Sequence, residues 1–262
     1  YTNIMTEYSN ESTSNASLRI KLITNELKIL ATAAQTLIDL GEDAQKAGQL
    51  LQKYPYYRND FVHNPKQNWS NIARGEANMS LSVWSYQHDK PGHINRLTTD
   101  LAATGATLKP FMNAMGRSGA QKGWLYLVGP KSDPYMLMYT WAQMPAIFDE
   151  KYKGHNDKSW CDFFFPCIVE EWERWLGEHP GESPDNHDLR TITPYYDDAG
   201  GTGTMITFFY PLWTPARDAN NGAVGVDLGV DALPGFVHSA KIGQSGFAFI
   251  MSDEGEVLNL TD

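Results

Sequence analysis

The chain has 262 residues, 42% of them hydrophobic and 12% aromatic, with a formal net charge of −10. That is enough apolar material for one large domain or two unequal ones, and eight Trp and thirteen Tyr do not suit a disordered chain. An acidic surface with no Lys/Arg cluster repels a nucleic-acid backbone and an anionic membrane face alike, which excludes both as partners.

No apolar run reaches the roughly 18 residues of a membrane span. The chain opens at Tyr1 rather than Met, as a piece of a longer protein would. A membrane is therefore expected only through spans that this chain does not contain. Cys161 and Cys167, in WCDFFFPC, are read either as buried thiols or as a small-loop disulfide. Two cysteines alone do not make a structural zinc site. The five Asn-X-Ser/Thr sequons are chance matches in an Asn-rich chain.

Residues 1–16 are polar and without period, and are expected to form a flexible lead-in. Over 17–54 a long helix is expected: Ile23, Leu27, Leu30, Ala34 and Leu37 fall at steps of four, three, four and three, which lays one stripe along a helix. Such a helix serves either as a spine with a homodimer seam or as a core-packing helix broken near Gly41, and the two are compatible. Between 55 and 122, NWSNIARG and SYQHDKPGHIN read as loops, LSVWSY as a short strand and 93–115 as an interrupted helix. WLYLV (124–128) and YMLMYTW (135–141), joined by GPKSDP, read as a hairpin. The region 150–190 looks like an insertion carrying a helix, IVEEWERWL. Strands are expected at 205–210 and 222–228, a short helix or turn at 231–241, and a last hairpin over 246–250 and 256–258.

Catalytic motifs are missing. There is no phosphate-binding loop with Lys-Ser/Thr, no GxSxG and no HExxH. His88 and His93, and His179 and His187, sit in polar loops where histidines are usually solvated. Neither a metal nor a cofactor is expected, and the segment is read as non-enzymatic.

From Thr204 the sequence runs TMITFFYPLW, then a loop, then NGAVGVDLGVDALPGFVHSAKIGQSGFAFIMSDEGEVL. The ordered series of Ile206-Thr207 with Tyr210-Pro211, Gly222 to Asp227 with Leu233, and Ile242 to Ile250 resembles the Cache sensor family, in particular its double-Cache form. The resemblance implies an α+β chain in which a long N-terminal helix precedes a PAS-like antiparallel-sheet Cache module. It implies a membrane-distal module over 55–235 and the truncated start of a membrane-proximal module over 236–262. It further implies an extracytoplasmic sensor domain of a transmembrane receptor, of histidine kinase or chemoreceptor type. In members that bind amines or amino acids, a Tyr and an Asp of a PYxD strand and the Asp of VGVD hold the ligand ammonium; these positions are Tyr195, Asp197 and Asp227.

The residues support that chemistry on their own terms. Tyr195 and Asp197 are two apart and share a face if they lie on a strand. Two carboxylates and an aromatic face satisfy an ammonium well. Asp227 lies in an apolar strand, where an unpaired carboxylate is costly. The plainer readings are a turn or cap role for Asp227, and turn chemistry before Gly200 for Tyr195 and Asp197. Tyr126, Tyr139, Arg174 and Trp175 complete the candidate ligand-binding set. The sequence departs from the family's RxWY carboxylate clamp, having WERWL at 172–176, so an amine without a carboxylate gains over an amino acid. A carboxylate-binding Cache module, and a secreted binding protein or hydrolase, are the competing readings.

Overall fold

No proline or glycine interrupts the sequence from Thr2 to Leu40, and that whole span is one helix, α1 (Thr2–Leu40). The computed structural model describes residues 2–51, 53, 61–64, 69–72, 79–83, 108, 110, 124–130, 135–139, 141–151, 168–186, 189–193, 196–198, 200–201, 203–229, 250–251 and 257–259. The lead-in expected over 1–16 is thus helical from Thr2 onward, because nothing in it removes a backbone donor or forces a turn. At about 1.5 Å per residue the helix is roughly 58 Å long. It ends at Gly41, where the plainer reading placed a break, and not at residue 54 as expected for one long helix. Gly41 adopts a φ of +51° and its N–H bonds back to the Leu37 and Ile38 carbonyls at 3.2 and 3.1 Å. A second helix, α2 (Glu42–Leu51), follows.

The remaining elements are β1 (Phe61–Asn64), β2 (Trp69–Ile72), β3 (Met79–Val83), β4 (Leu125–Val128), β5 (Tyr135–Tyr139), α3 (Met144–Lys151), α4 (Ile168–Glu178), β6 (Thr191–Ile192), β7 (Tyr196–Asp197), β8 (Thr204–Trp213), β9 (Asn220–Gly229), β10 (Ile250–Met251) and β11 (Val257–Asn259). Strands β1 to β9 form one sheet in the order β1-β2-β3-β5-β4-β9-β8-β6, with β7 also on β8, and the strand pairs are antiparallel. The α+β class and the helix-then-antiparallel-sheet order are those expected from the sequence. β10 and β11 pair as a hairpin of their own. Trp69–Ile72, read as loop, is a strand because β1 and β3 flank it and complete its ladder, which local composition does not reveal. Of the helix expected over 93–115 only Leu108 and Pro110 are described, both helical; the turn or helix at 231–241 and the two cysteines lie outside the described residues.

Strand alternation gives the sheet two differently covered faces. On one, Leu125, Leu127, Tyr135, Leu137, Phe208, Tyr210, Leu212, Val224, Val226 and Leu228 pack with Ile23, Leu27, Leu30, Ala31 and Ala34 of α1. The predicted helix stripe is therefore the core stripe, and each fully buried Leu contributes about 1.5–3 kcal/mol. On the other, Tyr126, Val128, Met136, Met138, Phe209 and Ala223 pack with Met144 of α3 and Trp172 of α4.

The end of α1 is clamped to the β8–β9 connection. The Gln35 amide donates to the Trp213 carbonyl at 2.9 Å and accepts from its N–H at 2.8 Å. The Arg217 guanidinium forks onto Asp39 at 2.7 and 2.8 Å and reaches Asp185 at 2.8 Å. Arg217 holds the Asp39 carboxyl below the usual carboxylate range. Because β8 and β9 also carry the site described next, this clamp joins the site's strands to the long helix.

At the start of β9, Gly222 has a φ of +109°, and a Cβ built there would lie 2.1 Å from the Val128 carbonyl oxygen. The Asn220 side chain bridges the same spot, accepting from the Gly222 N–H at 2.9 Å and donating to the Leu212 carbonyl at 3.1 Å. Both the backbone conformation and the close approach demand glycine. Gly222→Ala is expected to cost about 3 kcal/mol or more, read as a lower urea midpoint at unchanged slope; a loss under about 1 kcal/mol would contradict this account.

Candidate functional site

Asp227 sits inside β9, two residues before its end, and its side chain lies on the sheet face covered by α4. It is 3% exposed. Register places it opposite Thr207 of β8, and its backbone N–H bonds the Trp124 carbonyl at 2.8 Å. It caps no turn or helix; its carboxylate is the centre of a hydroxyl cluster. The Thr207 hydroxyl donates to Oδ1 at 2.7 Å and the Tyr126 hydroxyl donates to the same oxygen at 2.8 Å. Tyr196 lies behind, its hydroxyl 2.8 Å from Thr207 Oγ1.

The proton order follows from counting. Thr207 has one hydroxyl proton, and it goes to Asp227, so Tyr196 donates to Thr207. Tyr126 is also 3.5 Å from Thr207 Oγ1, but its single proton goes to the nearer, charged acceptor. Thr207 is fixed by two further bonds: its N–H donates to Thr193 Oγ1 and its carbonyl accepts the Thr193 N–H, each at 2.9 Å.

Burial pushes the Asp227 carboxyl up to about 7, the Thr207 and Tyr126 hydrogen bonds oppose that shift, and the nearby Asp198 carboxylate adds to it. Burial likewise raises both tyrosines, with the Asp227 charge adding, so neither phenol ionises near neutrality. Asp198 is buried on the same side of the sheet and accepts from Trp124 Nε1 at 3.4 Å. Gly225 lies beneath Tyr126 and Phe209: a Cβ there would come within 2.7 Å of each ring, so only glycine lets both rings approach the strand this closely beside Asp227.

Of the residues singled out in the sequence, the structure brings Asp227 and Tyr126 together. Tyr195 lies outside the described residues. Asp197 pairs with Thr204, is exposed, and accepts the Thr204 hydroxyl at 3.3 Å across the 198–203 turn. Tyr139 stands opposite Leu125 and packs with the α1 face, so the sheet separates it from Asp227. Arg174 is exposed on α4. Trp175 stacks on His179 at 4.6 Å and touches Trp213 at 6.3 Å, at the hairpin end of the sheet.

The chain matches part of a known receptor. It is 31% identical over 84 residues to the methyl-accepting chemotaxis protein McpG of Pseudomonas putida, a match covering 29% of this chain and 14% of that protein. The chain therefore spans well under two thirds of this relative. No family profile matches the chain, and no solved structure does.

Thr207, Tyr196, Thr193 and Asp198 were not among the candidate site residues read from the sequence. A signal for Thr207 was there: a hydroxyl residue inside the apolar run Met205–Trp213. Among the described residues no group of three or more metal-ligating side chains is assembled, and no helix is long and apolar enough to cross a membrane.

Proposed function

We propose that the chain is the extracytoplasmic, ligand-sensing part of a Cache-type membrane signalling receptor, and that it binds a small amine, or an amino acid through its ammonium group, at Asp227. One observation carries the ligand class. A buried carboxylate is met by neutral hydroxyls alone, those of Thr207, Tyr126 and Tyr196, and has no countercharge among its bonded partners. A cation supplies the missing charge, and the ring faces of Tyr126 and Phe209 suit one. The receptor reading is supported by the partial similarity to a chemotaxis receptor, by the ordered motifs from Ile206 to Ile250, and by the long helix clamped to the site's strands. The domain binds its ligand without transforming it, and the bound state shifts a conformational equilibrium only as far as the ligand favours one state.

The same reading gives α1 a partner. Leu18, Leu22 and Ile29 are 56%, 50% and 59% exposed and fall at steps of four and seven, on a face turned away from the buried stripe. A second copy of the chain along this face is the proposed homodimer.

A thermal-shift panel of alkyl amines, diamines, amino acids and simple carboxylates tests the ligand class. A ligand at a hundred times its dissociation constant adds about 2.7 kcal/mol, which moves the melting point of a domain this size by a few degrees. At least one amine is expected to do so. Stabilisation by carboxylates lacking an amine, with none by any amine, would overturn the assignment.

A further inference from the structure

We infer that the site selects a primary ammonium over a guanidinium, and that Thr207 and Tyr126 set this selectivity by filling Asp227 Oδ1 and leaving Oδ2 for the ligand. The inference rests on the amine-binding reading above and adds the shape of the cation. A carboxylate has about four acceptor positions, two on each oxygen. The two short hydrogen bonds that the Asp227 carboxylate receives among the described residues both fall on Oδ1, at 2.7 and 2.8 Å, with the Tyr196 hydroxyl facing the carboxylate behind them. That oxygen is full. A guanidinium binds a carboxylate best as a fork, with one N–H to each oxygen, and Oδ1 has no position left for its second prong. An ammonium is a point charge with three separate donors; one bond to Oδ2 suffices.

The hydroxyls cannot easily turn aside to make room. Thr207 is held on both sides of its backbone by Thr193, and its hydroxyl proton is pushed towards Asp227 because Tyr196 donates to its oxygen. Turning the Thr207 proton away would leave two donors facing each other. Tyr126 is wedged by Phe209, ring centroids 5.7 Å apart, over a glycine that leaves no slack.

The test compares the tightest-binding primary amine of the panel with its guanidino analogue of the same carbon chain, by titration calorimetry on the whole chain. A lost charge-assisted hydrogen bond predicts that the guanidino analogue binds at least about tenfold more weakly. Thr207→Val and Tyr126→Phe each free one position on Oδ1, and in either variant the gap is expected to narrow to about threefold or less. Equal or tighter binding of the guanidino analogue to the unaltered chain overturns the inference while leaving amine binding intact. An unchanged gap in a variant that circular dichroism shows to be folded overturns the role given to its hydroxyl. A panel in which no amine binds overturns the reading underneath, and this inference with it.

Discussion

Affinity for a primary amine is expected to fall about tenfold for each pH unit below about 7, and to level off above it. An ammonium ion pairs with a carboxylate, not with a carboxylic acid, and burial holds the Asp227 proton on to about pH 7 in the empty site. Binding must therefore expel that proton. The ligand itself stays protonated, since an unperturbed alkyl ammonium of the lysine type loses its proton only near pH 10.4. Tyr126 of β4 and Tyr196 of β7 also face the site, but their shifts are upward and leave them neutral throughout. Asp198 is the other carboxylate on that side; its charge contributes to the Asp227 shift, so a cation between them relieves both burial and repulsion. The measurement is calorimetric titration from about pH 5 to about pH 8, in buffers of different ionisation heat. About half a proton should leave per amine bound near pH 7, and affinity at pH 5 should be roughly a hundredfold below the plateau. Constant affinity with no proton release across this range would mean that Asp227 is already ionised when empty, or is not the group the amine meets. In a receptor, such a site reports amine and acidity together.

The sequence carried the elements better than their registers. The stripe Ile23, Leu27, Leu30, Ala34 is buried as expected, because a helix repeats at 3.6 residues wherever it begins. Its start was misplaced, since polar residues without period say nothing about whether a helix continues through them. The hairpin of β4 and β5 and the strands β8 and β9 were legible from β-branched and aromatic runs. Which side chains share a face across two strands was not. Tyr126 and Tyr139 were grouped together, yet Tyr139 stands opposite Leu125, one residue away from Tyr126, and a shift of one residue exchanges the faces. Composition alone does not fix that register. Near Gly200 the alternation was read in one phase, 195 and 197. The pairing of Tyr196 with Met205 turns Tyr196 towards Thr207 and leaves Asp197 exposed beside Thr204. Asp227 was found because a carboxylate in an apolar strand is anomalous by itself. Its donors are ordinary strand residues and become visible only once β4, β8 and β9 lie side by side.

Asp227→Asn is expected to make the empty domain more stable at neutral pH while abolishing amine binding. The asparagine carbonyl oxygen can accept the same two hydroxyls that Oδ1 accepts, so the cluster keeps its bonds and loses only the buried charge. The size of the gain follows from the shift. Below about pH 3.8 the carboxyl is protonated in folded and unfolded chain alike and contributes nothing. Between about 3.8 and about 7 the unfolded chain has released the proton and the folded chain still holds it, so stability falls as pH rises. Above about 7 both are ionised and the full penalty is present; at about 1.4 kcal/mol per unit it is at most on the order of 4 kcal/mol. The weaker hydrogen bonds of a neutral amide return part of that gain. Urea denaturation of both chains from about pH 4 to about pH 8 therefore reads the difference between them. It should be small at the acid end, grow through the interval, and flatten at a few kcal/mol in favour of the asparagine variant. A variant less stable than the parent at pH 8 would show that the ionised carboxylate holds the strands together rather than straining them. Asp227 would then be a structural group, and the cation that completes the site would have to be sought elsewhere on this face of the sheet.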